Sequence, residues 1–408
     1  MVSEDLSLPD LPNDTQADVQ AEEAELGTVE NHKSIVMHLL SQLKNGMDLT
    51  KVVLPTFILQ KRSLLEMFAD HLAHPDLFIN INRGEDPEAR MVAFVQWYLT
   101  SFHAGRMDKV AKKPYNPIVG ECFHCCWIMP PSGRSTGVDL TDAPSDSPQD
   151  MNFDIITYCA EQVSHHPPIT AFHVESPVNR MRLDSCVHIK SKFQGMSVSV
   201  TLFGKTVLHL GEHDGEEYHF SFPIAYARSI MKTPWLELGD KVSINCPQTG
   251  YSASVNFFTK PLRGNKLHRI TAEVFAPSNT KSTSPNNLVA RVCGVWNGVM
   301  QFEQLGDGGK SWTIDVTTLP VTPKYVRPID KQRPEESRRL WQHVTEALHA
   351  DNIELATEKK RELEDRQRMS EKFRLFHQIP FPVKYFVWDG TSWNFRGLQK
   401  TPTPLISL

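Results

Sequence analysis

The stretch "EQVSHHPP", residues 161–168, decides how this chain is interpreted, because it ends an apolar run with two adjacent histidines and two adjacent prolines. Neighbouring imidazoles can bind a metal, move a proton or donate N–H groups to a phosphate. Successive strand residues point to opposite faces, so His165 and His166 would not share one metal ion if the strand continued through them. Pro167 and Pro168 fix their φ angles and stiffen the chain. The residues alone leave the metal, proton and phosphate alternatives open.

The region around this stretch, from about residue 120 to 320, has the composition of a β-sheet. Short runs rich in Val, Ile, Phe and Thr alternate with Gly, Asn, Asp and Pro, as in "FDIITYCAEQV", "MSVSVTLFG", "YSASVNFFT" and "HRITAEVFA". Many strands follow one another without intervening helices, which favours an antiparallel sheet curled into a barrel or a sandwich.

The residues before the sheet predict helices. "KSIVMHLLSQLKNG", residues 33–46, places its apolar side chains on one helical face and ends in a glycine. Ser63 and Glu66 have the spacing of a capping box. Asp86 followed by Pro87 is typical of a helix N-terminus. The N-terminal third is therefore predicted to be mainly helical.

The charge is unevenly distributed along the chain. Residues 1–32 hold nine of the 48 acidic residues and none of the 43 Lys and Arg residues. We therefore expect a disordered acidic tail over 1–32 and a mildly basic folded part that suits transient contact with anionic membranes. Basic stripes with interleaved aromatic residues are absent, which argues against nucleic-acid binding. The N-terminus has neither the basic start nor the apolar core of a signal peptide, so we expect a cytoplasmic, peripheral protein.

The motifs of common enzymes are missing or incomplete. "GDGGKS", residues 306–311, resembles a phosphate loop, but Gln304 stands where that loop needs its first glycine. The sequence has no G-x-S-x-G or H-E-x-x-H motif, and its strands lack a βαβ rhythm. Cysteines 122, 125 and 126 surround His124 as alternative zinc ligands, although a buried core strand is the favoured interpretation of this run. We therefore predict no catalysis, no metal and no cofactor.

Two further segments carry charged or polar side chains. One is stiffened by prolines, and in the other the charged residues recur at a regular spacing. In "KKPYNPIVGE", residues 112–121, Lys113 and Asn116 lie in a segment whose prolines lower the entropic cost of ordering. In the charged helix predicted over 351–374, Lys360, Glu364 and Arg368 follow one another at intervals of four and are predicted to share a face. The alternative interpretation is a solvated helix with ordinary ion pairs.

The stretch "EQVSHHPP", residues 161–168, resembles the fingerprint of the oxysterol-binding protein-related family. "GMDLTKVVLPTFIL", "KRSLLEMFADHLAHPDLF", "KKPYNPIVGE", "SKFQGMS" and "ATEKKRELEDRQR" are similar to this family in the same order. Within it, the resemblance is to the subgroup of related proteins nine, ten and eleven, with eleven favoured. It implies a mainly β protein with helices, whose incomplete antiparallel β-barrel encloses a lipid tunnel. The implied division is a lid over 33–58, helices over 59–119, a barrel over 120–320, and C-terminal helices and tail over 333–408.

The resemblance also implies which residues contact a lipid. The family binds phosphatidylinositol 4-phosphate, and the residues that match its headgroup motifs are Lys113, Asn116, His165, His166, Lys360, Glu364 and Arg368. The lid residues that match the glycerol-phosphate contact are Leu49, Thr50, Lys51, Val52, Val53 and Leu54. Ser191 and Glu121 are additional expected contacts, and a surface strand serine is the equally weighted alternative for Ser191.

The implied function is exchange of this phosphoinositide for a second lipid between membranes at contact sites. Phosphatidylserine is the favoured second lipid, and sterol is the alternative. A lipid sensor or scaffold with little net transport is an alternative of another class, and a zinc hydrolase built on His165, His166 and the cysteine cluster is a third. Golgi, late endosome or endoplasmic reticulum contact sites, and hetero-oligomers with a related family member, are further expectations.

Overall fold

The strand-rich middle of the chain forms one antiparallel sheet of 13 strands. The computed structural model describes residues 44–48, 58–106, 111–129, 154–230, 234–261, 266–278, 287–306 and 309–397. The strands of the sheet are β3 (Cys122–Met129), β4 (Asp154–Ser164), β5 (Ile169–Ser176), β6 (Met181–Phe193), β7 (Ser197–Leu210), β8 (Glu216–Phe220), β9 (Ile224–Arg228), β10 (Trp235–Asn245), β11 (Ser252–Phe257), β12 (Arg269–Phe275), β13 (Leu288–Val295), β14 (Val299–Gln304) and β15 (Ser311–Asp315).

The hydrogen-bonded order of the strands follows the chain. It runs β15-β14-β13-β12-β11-β10-β8-β7-β6-β5-β4-β3, and β9 pairs with both β10 and β7. Strands β3 and β15 are the two ends of this path, and among the described residues they do not pair with each other. The sheet is therefore an incomplete antiparallel barrel, because the hydrogen bonding does not close.

The alternation of side chains determines which face of each strand is buried. In β14 Met300 and Phe302 are buried while their neighbours are exposed, and in β12 Ile270, Ala272 and Val274 are buried. This period of two is what one solvent-facing and one core-facing surface require. Strand β5 differs, because nearly all of its residues are buried.

In the described residues before the sheet, three α-helices form: α1 (Leu64–Ala69), α2 (Pro75–Asn82) and α3 (Pro87–Thr100). Helix α3 begins as predicted, since the Asp86 carboxylate accepts a hydrogen bond from the Ala89 N–H at 2.8 Å. Its aromatic residues pack on the sheet, with the rings of Phe94 and Tyr218 stacked 5.1 Å apart. The core of the molecule therefore lies between these helices and the barrel.

The capping box predicted for α1 forms only in part. The Ser63 hydroxyl accepts a hydrogen bond from the Leu65 N–H at 3.4 Å. The Glu66 carboxylate instead pairs with Arg338 at 2.8 Å and with Lys324 at 3.4 Å. These cations hold the pKa of Glu66 at about 2 although burial acts to raise it. The capping role of Glu66 was wrong, because its carboxylate gains more from charge-assisted pairs with two partly buried cations than from one backbone N–H.

The C-terminal helices pack on a small parallel pair of strands. The helices are α4 (Ser337–Leu340), α5 (Gln342–His349) and α6 (Ile353–Phe376), and the parallel pair is β1 (Leu59–Ser63) with β2 (Lys113–Tyr115). Tyr115 stacks on Trp341 with ring centroids 4.7 Å apart. A last hairpin, β16 (Phe386–Trp388) and β17 (Trp393–Phe395), packs on β5 and β6, where Phe395 stacks on His173 at 4.0 Å. This covering explains why β5 is buried on both faces.

The predicted acidic tail over 1–32 lies outside the described residues. So does the predicted lid over 33–58, apart from residues 44–48 and 58. The division of the chain into lid, helical, barrel and C-terminal parts stays a prediction.

Candidate functional site

The paired histidines lie in a tight turn between two strands. Strand β4 ends at Ser164, the turn occupies residues 165–168, and β5 begins at Ile169. Gln162 fixes this turn from beneath, since its amide donates to the Ser164 carbonyl at 2.8 Å and its carbonyl accepts from the Thr170 hydroxyl at 2.7 Å. The strand thus stops before the histidines, so strict alternation does not separate their rings.

The two imidazoles face different surroundings. Their ring centroids are 4.7 Å apart in an edge-to-face arrangement, with His165 half-buried and His166 exposed. The Nδ1 atom of His165 lies 3.1 Å from the Pro117 carbonyl oxygen, which can only accept, so Nδ1 donates. Burial and then the neighbouring His166 lower the pKa of His165. In neutral His165 the Nε2 atom is therefore an acceptor. A bound anion would favour protonation of the ring, and Nε2 would then become a donor.

The proline-bearing segment over 112–121 lies directly beside this turn. The Gly120 N–H donates to the Gln162 carbonyl at 2.8 Å, and the Gln162 N–H donates to the Glu121 carbonyl at 2.8 Å. Gly120 has φ +78°, and a Cβ there would lie 2.2 Å from the ring of Phe381. A glycine is therefore needed for both the backbone conformation and the close approach.

Glu121 lies behind this segment rather than on its surface. Its carboxylate accepts hydrogen bonds from the hydroxyls of Ser63 (2.5 Å) and Ser337 (2.7 Å), the indole of Trp341 (2.9 Å) and the Ile118 N–H (3.1 Å). It is 1% exposed, and burial raises its pKa. These contacts tie β1 and α4 to the segment that carries Lys113 and Asn116, so they fix its position.

Helix α6 brings a second lysine to the first. Burial, and then the charge of Lys360, lower the pKa of Lys113 to about 8, while Glu364 acts to raise it. The Lys360 ammonium pairs with the Glu364 carboxylate at 2.5 Å, one helical turn away. On the same helix, the Gln367 side chain accepts a hydrogen bond from the Val119 N–H at 3.2 Å. Lys113 and Lys360 thus interact with a single carboxylate, that of Glu364, and they are partly desolvated. This excess of positive charge favours binding of an additional anion.

Arg368 does not join this group. It pairs with Asp365 at 2.5 Å, and half of its side chain is exposed. Eight residues along a helix of 3.6 residues per turn rotate a side chain by about 80°, so Arg368 lies away from Lys360. Glu371 comes back close to the Lys360 direction, and its charge acts on His165. Arg368 thus lies about 80° around the helix from Lys360, and its predicted contact with the headgroup stays a prediction.

A cleft of about 230 Å³ lies between the histidine turn and the end of α6. Its lining residues are Val119, Val163, Ser164, His165, His166, Glu371, Arg374, Leu375, Ile379, Pro380 and Phe381. The Arg374 guanidinium lies over the ring of Phe381 at 4.9 Å. The sequence interpretation missed Gln367, Glu371 and Arg374. Their spacing of four and three residues, at one helical face with Lys360, is the signal that could have identified them.

The remaining predicted residues lie around the site or outside the described part. Asn116 is exposed and Ser191 on β6 is half-buried. Residues 49–54 fall outside the described ranges, but both flanks of that segment are placed. Asp48 bridges to Lys192 at the end of β6, and Leu59 pairs with Lys113. The described residues on either side of that segment therefore lie beside the end of β6 and beside Lys113.

The cysteine cluster is divided between the two faces of β3: Cys125 lies in the barrel core, Cys122 is buried against the C-terminal segment, and Cys126 is half-buried. Cys122 and Cys125 are buried, and burial raises the pKa of both thiols. Within the described residues no three His, Cys, Asp or Glu side chains are grouped so that they could hold a metal ion. A buried, protonated thiol is an inert core residue, which leaves the zinc-hydrolase alternative without an observation in its favour.

In the described part of the chain, every helix is too short or too polar to cross a lipid bilayer.

Comparison with solved structures relates this fold to two ORD domains. The Osh1 ORD domain in complex with cholesterol superposes with a TM-score of 0.67 at 19% identity, covering 90% of this chain and 94% of that one. The Osh3 ORD of Saccharomyces cerevisiae in complex with PI(4)P gives a TM-score of 0.63 at 16% identity, with 89% of each chain covered. The predicted fold class, mainly β with a large incomplete antiparallel barrel and flanking helices, is confirmed.

Comparison of sequences identifies the relatives. Human oxysterol-binding protein-related protein 10 is 51% identical over 92% of this chain, mouse oxysterol-binding protein-related protein 11 is 51% identical over 94%, and human oxysterol-binding protein-related protein 9 is 46% identical over 93%. The matches cover 49%, 52% and 50% of those relatives, so the chain spans about half of their length. The predicted resemblance to the subgroup of nine, ten and eleven is confirmed. The family model for oxysterol-binding protein matches residues 38–349, and the chain belongs to the oxysterol-binding protein family.

Proposed function

We propose that the chain is a lipid-transfer protein that binds phosphatidylinositol 4-phosphate and exchanges it for a second lipid. The observation that carries the proposal is that Glu364 on α6 interacts with groups from two other segments. Its charge acts on Lys113 of β2 and on His165 of the β4–β5 turn, and its carboxylate pairs with Lys360 on α6. A cationic site built from distant parts of the chain is what a specific anionic headgroup needs.

The headgroup phosphate would take the place of solvent between the two lysines. A phosphate monoester carries about −1.5 to −2 charges at pH 7 and three strong acceptor oxygens. Lys113 and Lys360 would donate charge-assisted hydrogen bonds, and His165 and His166 would donate ring N–H groups once the anion favours their protonation. Glu364 would hold Lys360 in position and accept a hydrogen bond from an inositol hydroxyl.

The outer contacts of the headgroup are proposed for exposed residues. Asn116 and Arg368 border the site without being buried in it, and Arg368 would have to leave Asp365 to reach a ligand. Leu49 to Leu54 are proposed to lie against the glycerol phosphate. Asp48, which precedes them, bridges to Lys192, and Leu59, which follows them, pairs with Lys113. A lid there would shield acyl chains from water, at about 25 cal/mol per Å² of apolar surface.

The second lipid is proposed to be phosphatidylserine, with sterol as the alternative. Solved ORD structures of this fold hold ergosterol or cholesterol in Osh1 and PI(4)P in Osh3. These complexes support competition of two lipids for one barrel, which is the basis of exchange without catalysis. Ser191, on the strand that pairs with residue 48, is proposed to contact the second headgroup. Contact-site membranes and a hetero-oligomer with a family member stay predictions.

The test is extraction of phosphatidylinositol 4-phosphate from liposomes by the wild type and by a His165→Ala/His166→Ala variant. The proposal expects stoichiometric extraction by the wild type and none by the folded variant. Undiminished extraction by the variant would remove the histidines from the site. A lipid sensor or scaffold is distinguished by kinetics, because it would protect one lipid per protein and show no multiple turnover between donor and acceptor liposomes.

A further inference from the structure

The C-terminal end of α6 exposes an unusual number of large apolar side chains. We call this patch the α6 tip, and it consists of Met369, Phe373, Leu375, Phe376 and Ile379. Phe376 is 83% exposed, Leu375 is 72% exposed and Phe373 is 59% exposed. Single exposed apolar residues are ordinary on a protein surface, but a contiguous group of five within eleven residues marks an interaction site.

The charge around the α6 tip is positive. Residues 365–379 contain Arg366, Arg368, Lys372 and Arg374 against two acidic residues, Asp365 and Glu371, and Arg368 pairs with Asp365. Glu371 and Arg374 both line the cleft, so the charges left for the outer surface are those of Arg366 and Lys372. Apolar side chains surrounded by Lys and Arg match the interface of an anionic bilayer, where acyl chains lie beneath phosphate groups.

The α6 tip also borders the opening of the candidate headgroup site. Leu375 and Ile379 belong to the tip and line the same cleft as His165 and His166. His166, Leu375 and Ile379 are all exposed, so this side of the cleft faces outward. A lipid whose headgroup leaves the bilayer before its acyl chains would enter the cleft at this point without crossing water.

We propose that the α6 tip docks the chain on anionic bilayers, with Phe373, Leu375 and Phe376 entering the boundary between headgroups and acyl chains. Lys372 and Arg366 contact lipid phosphates. The docking places the cleft against the membrane surface. This inference deepens the proposed function, since it supplies the surface from which the headgroup site takes its lipid.

The experiment is flotation of the full chain with phosphatidylcholine vesicles that contain phosphatidylserine but no phosphoinositide. We expect the wild type to float, with binding that falls at high salt as the charge attraction is screened. The Phe376→Ser variant should bind at least about fivefold less, and Phe373→Ser/Phe376→Ser less still. The matched control is Val178→Ser, an exposed residue (63%) in the turn at the opposite end of β5 from the histidines, and it should bind as the wild type does.

A second measurement separates docking from headgroup recognition. Binding of a water-soluble, short-chain phosphatidylinositol 4-phosphate should be unchanged in Phe376→Ser, while extraction of the long-chain lipid from vesicles should fall. If the wild type did not bind the short-chain lipid, the proposed function would be rejected. The flotation result would still stand. Equal flotation of wild type and Phe373→Ser/Phe376→Ser would overturn the docking proposal. So would a change from dimer to monomer in that variant with vesicle binding retained, since the tip would then contact a second copy.

Discussion

Lys360 on α6 lies close enough to Lys113 on β2 that its charge adds to burial in lowering the pKa of Lys113, which falls from 10.5 to about 8. The two lysines belong to segments almost 250 residues apart in the chain, and Glu364 is the carboxylate that acts on both. A protein tolerates such an arrangement when a ligand compensates it. The pair is therefore expected to stabilise a bound anion and to destabilise the protein without one.

Replacing Lys113 with Met is expected to stabilise the unliganded protein. Because the folded pKa is about 8 and the unfolded one is 10.5, the unfolded state binds more protons between these values. The wild type therefore gains stability as pH rises through that window, and the penalty is fully present below pH 8. We expect Lys113→Met to raise the free energy of unfolding by up to about 3 kcal/mol at pH 7.

Urea titrations at pH 7 and pH 10 check this sign. The advantage of Lys113→Met should shrink at pH 10, where the wild-type lysine is largely neutral in the folded state. An equal advantage at both pH values would mean that the variant acts through packing and not through the charge.

Gly120 offers a matched test of the contact between the site segment and Phe381. Gly120→Ala introduces a Cβ at φ +78° that meets the Phe381 ring, whereas Gly195→Ala introduces one at φ +72° with no atom within 4 Å. Both variants lose about 1 kcal/mol for the left-handed backbone conformation. Gly120→Ala should lose about 1–3 kcal/mol more through overpacking.

The difference between the two alanine variants in chemical denaturation measures that contact. Adding Phe381→Ala to Gly120→Ala should leave no extra cost from the clash. A Gly120→Ala variant as stable as Gly195→Ala would contradict the close approach of Phe381.

Glu121 should behave as a structural acceptor. Glu121→Ala leaves four donors without their acceptor and is expected to cost about 3–5 kcal/mol. Glu121→Gln should recover part of this, because the hydroxyls of Ser63 and Ser337 can rotate to accept from the amide. Thermal unfolding of both variants checks the order, and a direct headgroup role would instead show as lost lipid binding in a Gln variant of unchanged stability.

The sequence predicted most of the fold for identifiable physical reasons. The strand composition of "HRITAEVFA" and the Asp86 cap of α3 are local patterns, and each formed the predicted element, as β12 and as the start of α3. The parallel pairing of β1 with β2, and the ion pair of Glu66 with Arg338, depend on partners far along the chain. Local spacing therefore could not identify them.

The candidate site was predictable to the same extent. The pair of Lys360 and Glu364 follows from a spacing of four, but the rotation of about 80° that removes Arg368 accumulates only over two turns. Gln367 and Glu371 take its place on that face, where Gln367 bonds the Val119 N–H and Glu371 lines the cleft. The roles of Asn116 and of residues 49–54 stay predictions.

The central claim is that the two lysines recognise a phosphate on an inositol ring. Isothermal titration with short-chain phosphatidylinositol 4-phosphate and short-chain phosphatidylinositol tests it most directly, using the wild type and a Lys113→Met/Lys360→Met variant. We expect the wild type to bind the phosphorylated lipid at least about a hundredfold more tightly, and the variant to bind both lipids equally weakly. A folded variant that keeps the wild-type preference for the phosphorylated lipid would show that the two lysines do not recognise the phosphate.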